Sequence, residues 1–200
     1  MKSSFAYDLK KEGQLANFLD GQYQKHLKYY SFTRVTNLKE QLKGVDLILT
    51  HKKSNERFLV DEKAQLDYID EDLPTFAFEL SYTKNGITKE GWLFDPLKKT
   101  DFYALITGIY FDGGSECSFC KITLVNRKKL LLHLKNMGID QAYLLQQANS
   151  NLHGKTTLPL LNSKKEGYLY YSLRNKAEKP LNLILKLEWL IKIGVAKRLV

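Results

Sequence analysis

Apolar residues recur at helical spacing over residues 8–28. On a wheel of about 100° per residue, one apolar stripe falls within roughly 60° of a common line, and its members are Leu15, Ala16, Leu19, Tyr23 and Leu27. The pattern predicts an amphipathic helix. Glu12 lies near the middle of the same stripe, where a carboxylate is costly unless it is paired or binds a metal. Alternatively, Glu12 lies in the first turn and complements the helix dipole.

The middle of the chain is rich in aromatic and β-branched residues, separated by short polar turns. These features predict β-strands, at residues 30–36, 45–51, 57–65, 75–82, 91–94 and 117–125. Residues 100–110 are apolar and fit either a strand or a short helix. Gly113-Gly114 predicts a turn before the strand at 117–125.

The last third has a different character. A leucine-rich basic stretch at residues 126–136 predicts a helix that stops near Gly138, and residues 140–147 predict a second helix. Residues 149–157 form a polar loop, and residues 167–173 favour a strand. The segment 180–200 is predicted to be helical from about Leu183.

Helix, then strands, then helices predict an α/β fold with a central mixed β-sheet flanked by helices. We expect one domain over residues 1–200. Its core would span residues 8–125, and a helical and strand extension at 126–200 would pack on that core. The small polar stretch near Asn149 is typical of a loop within one domain.

Hydrophobic residues make up 44% of the chain and charged residues 26%, which is ordinary for a globular protein. No apolar run reaches the roughly 18 residues of a transmembrane helix, and the N-terminus turns polar before a signal peptide could form. We therefore expect a cytoplasmic protein without a membrane partner. The net charge of +9 favours a polyanionic partner, nucleic acid above all, although a solubility surface explains it equally well.

The two cysteines, Cys117 and Cys120, form one CxxC pair. One such pair is half of a tetrahedral zinc site. His133 lies downstream, but no fourth ligand follows at finger-like spacing. Two thiols on a strand are therefore the expected arrangement, and a fold built on disulfides is excluded by the count.

Candidate chemistry is concentrated at Asp46 and in the strand of residues 57–65. Because alternate side chains of a strand share a face, Asp61, Lys63 and Gln65 are expected to point the same way. A short polar turn joins the two strands, so a hairpin would bring Asp46 beside Asp61.

Two ionised carboxylates held close together repel each other unless a cation lies between them. A hard cation such as Mg²⁺ prefers oxygen ligands, and a neighbouring lysine suits attack on a phosphodiester. The alternative is an ion pair of Asp61 with Lys63 on a solvated strand. The apolar residues Phe58-Leu59-Val60 before this pair and Ala64 after it favour a central strand instead.

This stretch resembles the PD-(D/E)XK nuclease superfamily, which has the restriction-endonuclease-like fold. Asp46 matches the first acidic position, although Val45 stands where a proline is usual. Asp61-Glu62-Lys63 matches the (D/E)-x-K element. The resemblance covers residues 12–110, about half of the chain.

Two further positions resemble the family. Glu12 matches an acidic residue often found on the preceding helix, and Gln65 resembles a glutamine seen in some subgroups. The resemblance implies that Asp46 and Asp61 bind Mg²⁺ or Mn²⁺ through their carboxylates. It also implies that the backbone carbonyl of Glu62 adds a ligand and that Glu12 completes the shell.

The resemblance assigns the chemical step to Lys63, which would position the attacking water and stabilise developing negative charge. Gln65 would orient a neighbour or touch the substrate. Glu79 is a second candidate carboxylate, which either faces the site or pairs with a basic residue. DNA is the expected substrate, and cleavage of both strands of a duplex would favour a homodimer.

Three functions compete. A metal-dependent nuclease predicts divalent-metal binding and cleavage that is lost when Asp61 or Lys63 is replaced. A catalytically inactive nucleic-acid-binding module of the same fold predicts salt-sensitive binding without cleavage. A basic protein-interaction domain predicts no DNA binding at low salt. The nuclease is favoured because all the expected acidic and lysine positions are filled.

Overall fold

The computed structural model describes residues 5–113, 116–148, 153–174 and 178–200, with the side chains of 5–12 and of 14 outside the description. The described residues form an α/β fold with a mixed β-sheet, as predicted. The described ranges contain five α-helices: α1 (Phe5–His26), α2 (Leu38–Gln41), α3 (Arg127–Asn136), α4 (Gln141–Gln147) and α5 (Leu187–Lys192). A short 3₁₀ turn covers Leu66–Tyr68. No helix in the described part of the chain is long and apolar enough to cross a membrane.

Eleven β-strands are present in the described ranges. In chain order they are β1 (Tyr30–Arg34), β2 (Leu47–His51), β3 (Arg57–Ala64), β4 (Thr75–Lys84), β5 (Ile87–Glu90), β6 (Phe102–Asp112), β7 (Glu116–Asn126), β8 (Gly154–Thr156), β9 (Gly167–Tyr171), β10 (Leu181–Lys186) and β11 (Ala196–Arg198). They form two sheets, with strand orders β1-β2-β3-β6-β7-β11 and β5-β4-β10-β9-β8. The expectation of one central sheet is therefore wrong.

The chain divides into two compact units, each assembled from separate segments. The first unit comprises Met1–Leu73, Thr100–Val125 and Lys197–Val200, and the second comprises Pro74–Lys99 and Asn126–Ala196. The segment between β3 and β6 thus carries β4 and β5 of the second unit. Residues 74–99 lie within the predicted core of 8–125 and cluster with the second unit.

The first unit is built on the six-stranded mixed sheet. β1 and β3 both pair antiparallel with β2, and β3 pairs parallel with β6. The predicted apolar stripe of α1 packs on this sheet, where Leu15, Leu19 and Tyr23 are almost fully buried. They contact core residues of β2, β3 and β6, which include Leu47, Val60 and Ile106. Burying this stripe stabilises the helix, because helix formation alone contributes little.

The second unit holds the five-stranded sheet, whose pairings among the described residues are antiparallel. β4 pairs with β10, although about 100 residues separate them in the chain. The helices predicted at residues 126–136 and 140–147 are confirmed, and side chains cap them. Asn126 accepts a hydrogen bond from the amide of Lys129 at the start of α3, and Asp140 accepts one from the amide of Tyr143 at the start of α4.

Two predicted elements are wrong. Residues 91–94 form a turn rather than a strand, and the strand of this region is β5, just before them. The last segment is not one helix: β10 occupies residues 181–186, α5 covers one and a half turns, and β11 follows. β10 alternates buried Leu181, Leu183 and Leu185 with partly exposed residues, which is a strand period. Pairing with β4 makes this segment a strand rather than a helix. The local sequence pattern does not reveal that pairing.

Gly91 is required by close backbone packing. A Cβ atom at this position would lie 2.4 Å from the carbonyl oxygen of Glu79. We expect Gly91→Ala to destabilise the protein by about 1–3 kcal/mol, because the contacted backbone has to move. Thermal or urea unfolding measures the change. Gly21→Ala is the matched control: nothing lies within 4 Å of its added Cβ, so it is expected to stabilise α1 by about 0.5–1 kcal/mol. Equal effects of the two substitutions would contradict the packing at Gly91.

Candidate active site

Asp46 and Asp61 meet where β2 and β3 begin their antiparallel pairing. The register pairs Leu47 with Val60, and one step further sets Asp46 opposite Asp61. The backbone of Asp46 is held on both sides, since its amide donates to the Val60 carbonyl and its carbonyl accepts from the amide of Val35, each at 2.8 Å. The carboxylate is therefore fixed by the sheet, although Asp46 itself lies just before β2.

Asp61 is a buried carboxylate that forms an ion pair with Lys63. Its side chain is 2% exposed, and Lys63 Nζ lies 2.6 Å from Oδ1. Oδ2 is also buried and accepts no hydrogen bond from the described residues. Burying an ionised oxygen without a donor is costly. Asp61 Oδ2 is thus an oxygen ligand position that the described side chains leave unused.

The pKa of Asp46 is raised from its ordinary value of 3.8 to about 7. Burial is the largest cause, and the negative charge of Asp61 is the next. The backbone amide of Glu62 opposes the shift, because it donates to Asp46 Oδ2 at 2.8 Å. The two carboxylates are therefore close enough to repel each other, which is the arrangement that a bound cation would relieve.

Glu62 points to the opposite face of β3, towards α1, as its position in the strand predicts. Tyr23 donates to Glu62 Oε1 at 2.8 Å, and Arg34 Nη1 donates to Oε2 at 2.7 Å. Arg34 also bonds Asp20 at 2.7 Å and the carbonyl of Ala16 at 3.1 Å. The Glu62 side chain is fully engaged, so only its backbone is available to a metal.

Sequence reasoning missed Arg34. It joins β1, β3 and α1 through this cluster. Burial lowers the pKa of its guanidinium, but the hydrogen bonds and charges of Asp20 and Glu62 outweigh burial and raise it. Burial raises the pKa of the Tyr23 hydroxyl, and Glu62 raises it further, whereas the charge of Arg34 opposes the rise. One signal was present: Glu62 occupies the apolar face of its strand, where a buried carboxylate requires a cationic partner. Nothing in the local pattern identified Arg34 as that partner.

The remaining predicted site residues have different outcomes. Gln65 lies just beyond the end of β3 and precedes the 3₁₀ turn. Its backbone N–H donates to the Ile106 carbonyl at 3.0 Å. The backbone of Glu12 lies in α1, but its side chain is outside the described residues. Glu79 lies on β4 and belongs to the second unit, whereas Asp46 and Asp61 belong to the first.

A cavity of about 420 Å³ opens at the two carboxylates. Asp46, Asp61 and Lys63 line its polar side. Leu15 and Leu19 of α1 line its apolar side. The cavity therefore places charged groups beside a surface that excludes water, which strengthens electrostatic interactions.

The donor set suits a hard cation. Both carboxylates offer oxygen, which Mg²⁺ and Mn²⁺ prefer, and the orphaned Asp61 Oδ2 and the raised pKa of Asp46 both indicate a deficit of positive charge. The described side chains include no group of three or more His, Cys, Asp or Glu residues that could hold a metal. A metal here would therefore need backbone, water or substrate oxygens in addition to the two aspartates.

Cys117 and Cys120 are free thiols on β7 and are buried in the core of the first unit. Burial raises the pKa of Cys120 to about 12. A thiolate is the form that binds zinc, so this environment favours packing over metal binding.

No protein-family model, no curated protein and no solved structure matches this chain.

The raised pKa of Asp46 predicts a pH-dependent stability of the metal-free protein. A carboxyl group whose pKa is higher in the folded state binds its proton more tightly there. Its stabilising contribution is present below about pH 4 and is lost as the pH rises through about 7. Allowing for partial exposure, we expect a loss of about 2 kcal/mol.

Thermal unfolding in chelator between pH 5 and pH 8 measures this loss. Asp46→Asn keeps an acceptor for the Glu62 amide but cannot ionise. The dependence of stability on pH should therefore be weaker in that variant. Identical slopes for the wild type and Asp46→Asn would contradict the assignment.

Proposed function

We propose that this protein is a metal-dependent nuclease of the PD-(D/E)XK type that hydrolyses DNA phosphodiester bonds. The observation that carries the proposal is the pair of neighbouring carboxylates, Asp46 and Asp61, with Lys63 Nζ 2.6 Å from Asp61 in one cavity. The first unit supports the proposal too. In it α1 precedes the antiparallel strands β1, β2 and β3, and β6 pairs parallel with β3.

The residues that would hold the metal are Asp46 and Asp61. The Glu62 carbonyl and Glu12 are the further ligands implied by the family resemblance. Bound Mg²⁺ or Mn²⁺ would neutralise phosphate charge and lower the pKa of a coordinated water. Asp46 would bind the metal in its ionised form. A nearby cation favours that form, because opposite charge lowers the pKa of a carboxyl group.

Lys63 supplies a positive charge at the same place. Its ammonium is held against Asp61 at the cavity. It would orient the attacking water or donate to the phosphate oxygen on which negative charge develops. A donor fixed in advance towards developing charge is typically worth about 10²–10³ in rate.

The rest of the site positions these groups. Arg34 fixes Glu62, and the Glu62 amide fixes Asp46 Oδ2. Leu15 and Leu19 form the apolar wall of the cavity. Mg²⁺ or Mn²⁺ and a nucleic acid are therefore the cofactor and partner that the proposal requires.

Cleavage of plasmid and single-stranded DNA tests the proposal. Reactions contain Mg²⁺, Mn²⁺ or chelator, and they compare the wild type with Lys63→Ala. We expect metal-dependent cleavage that falls at least about 100-fold in Lys63→Ala. Lys53→Ala is the matched control, because Lys53 is an exposed lysine in the turn between β2 and β3. Salt-sensitive DNA binding without cleavage would favour the inactive binding module instead. Absence of DNA binding at low salt would favour a protein-interaction domain.

A further inference from the structure

The net charge of the chain is confined to the second unit. Its segments contain 16 Lys and Arg against 7 Asp and Glu, a net charge of +9. The first unit contains 15 of each and is neutral. The candidate active site therefore lies on the unit without excess charge. Electrostatic attraction for a polyanion resides on the other unit.

The sheet of the second unit has one buried and one open face. On the buried face, Phe78, Leu169 and Leu183 are at most 1% exposed. The alternate residues of β9 and β10 are partly exposed. We call this second surface the open face and define it by Lys155, Tyr168, Tyr170, Asn182 and Lys186.

Register places these residues side by side. Lys155 pairs with Tyr170, and Tyr170 pairs with Asn182 on the next strand. Tyr168 lies two residues before Tyr170, on the same face of β9. Tyr168 pairs with Ile184 of β10, and Lys186 lies two residues after Ile184. Directly paired residues of antiparallel strands point to the same face. The open face thus combines two phenol rings and two ammonium groups with the apolar Ile184 and with the carboxylate of Glu79 on β4, which pairs with Asn182.

Local contacts orient the rings. Lys155 Nζ lies 4.3 Å from the centre of the Tyr168 ring, within cation–π range. The His153 ring meets Tyr170 edge-on, with centroids 5.8 Å apart. A row of aromatic rings with lysines beside it is the combination that single-stranded nucleic acid requires. Bases stack on the rings, and the lysines meet the phosphates.

We propose that the open face of the second unit binds single-stranded nucleic acid by stacking bases on Tyr168 and Tyr170. The inference deepens the proposed nuclease function, and it rests on that function only in naming the bound strand as substrate. A single strand is favoured over a duplex because stacking needs unpaired base faces. Every base has such a face, so binding should tolerate different sequences.

Fluorescence anisotropy with a labelled 15-nucleotide oligothymidylate tests the inference. The full chain carries Asp61→Asn and is kept in chelator, so binding is measured without cleavage. Tyr168→Leu should weaken binding about 5-fold or more, whereas Tyr168→Phe should retain it because the ring remains. Lys155→Gln should reduce the slope of log affinity against log salt by about 0.7. Lys53→Gln removes an exposed charge from the first unit and should leave both quantities nearly unchanged.

The inference would be overturned if Lys53→Gln and Lys155→Gln reduced the salt slope equally. It would also be overturned by unchanged affinity in Tyr168→Leu, or by tighter binding of a matched duplex than of the single strand. Binding of polyglutamate as tight as that of the oligonucleotide would also overturn it, in favour of an acidic protein partner. Lys155→Gln and Tyr168→Phe keep the test valid if Tyr168→Leu fails to fold. Failure of the nuclease proposal is separate, since it appears as absent cleavage while these binding differences persist.

Discussion

Replacing Asp61 with Asn is expected to reduce metal-dependent DNA cleavage more than about 100-fold. Replacing a residue that only supports a metal ligand typically costs about 10–100-fold in metal affinity or activity, and Asp61→Asn would remove the charge of a proposed ligand itself. Asp61 is 2% exposed, and Lys63 Nζ lies 2.6 Å from it. The substitution would therefore remove a proposed ligand charge and the ionic partner of the lysine together.

The same substitution should change Asp46. The negative charge of Asp61 is the second cause of the raised Asp46 pKa, so in Asp61→Asn that pKa should fall. Calorimetric titration with Mn²⁺ measures metal affinity beside the cleavage rate. Asp101→Asn is the control, because Asp101 is a carboxylate that accepts from the Leu59 amide on the same strand and the amide oxygen of Asn can replace it. Asp61→Asn with wild-type metal affinity would contradict the ligand role.

Replacing Arg34 with Met is expected to destabilise the protein by about 2–4 kcal/mol. Removing one member of a buried ion pair leaves the partner charge without compensation. Arg34 bonds Glu62 and Asp20, each at 2.7 Å, and the Glu62 side chain is 15% exposed. The lost hydrogen bond to Glu62 would affect β3, the strand that carries Asp61 and Lys63.

Urea unfolding of a small set of variants measures this effect. Arg57→Met removes an exposed arginine from the start of β3 and should change stability by less than about 0.5 kcal/mol. Arg34→Met combined with Glu62→Met should recover part of the loss, because an apolar pair leaves no buried charge. If Arg34→Met costs no more than Arg57→Met, the cluster does not stabilise α1 against the sheet.

The strongest local patterns predicted their elements correctly. The apolar stripe of α1 packs on one surface, so its helical period agrees with its burial. In β3, alternation sends the Glu62 side chain to one face and those of Asp61 and Lys63 to the other. The two helices after β7 carry their own capping residues, Asn126 and Asp140. In all these elements the deciding interactions lie within a few residues of one another.

Elements decided by distant partners were not predicted. β10 is a strand because β4, about 100 residues earlier, pairs with it. The same pairing divides the strands between two sheets and carries residues 74–99 into the second unit. A leucine-rich segment fits a helix or a strand, and only the partner distinguishes them.

The candidate site was predictable in part for the same reason. Asp61 and Lys63 share a face by alternation alone, and a short turn is enough to bring Asp46 beside them. Gln65 shows the limit of that argument, since β3 ends at Ala64 and alternation no longer fixes its direction. Arg34 reaches Glu62 from another strand, so neither its role nor its distance could be obtained from spacing.

Single-turnover cleavage by metal-stripped protein tests the central claim most directly. A labelled DNA strand is mixed with wild-type or Asp61→Asn protein in chelator, and excess Mg²⁺ is then added. We expect cleavage to begin only after Mg²⁺ is added to the wild type and to stay more than about 100-fold slower in Asp61→Asn. Cleavage that proceeds in chelator, or at equal rates in the two proteins, would contradict a metal-dependent site on Asp46, Asp61 and Lys63.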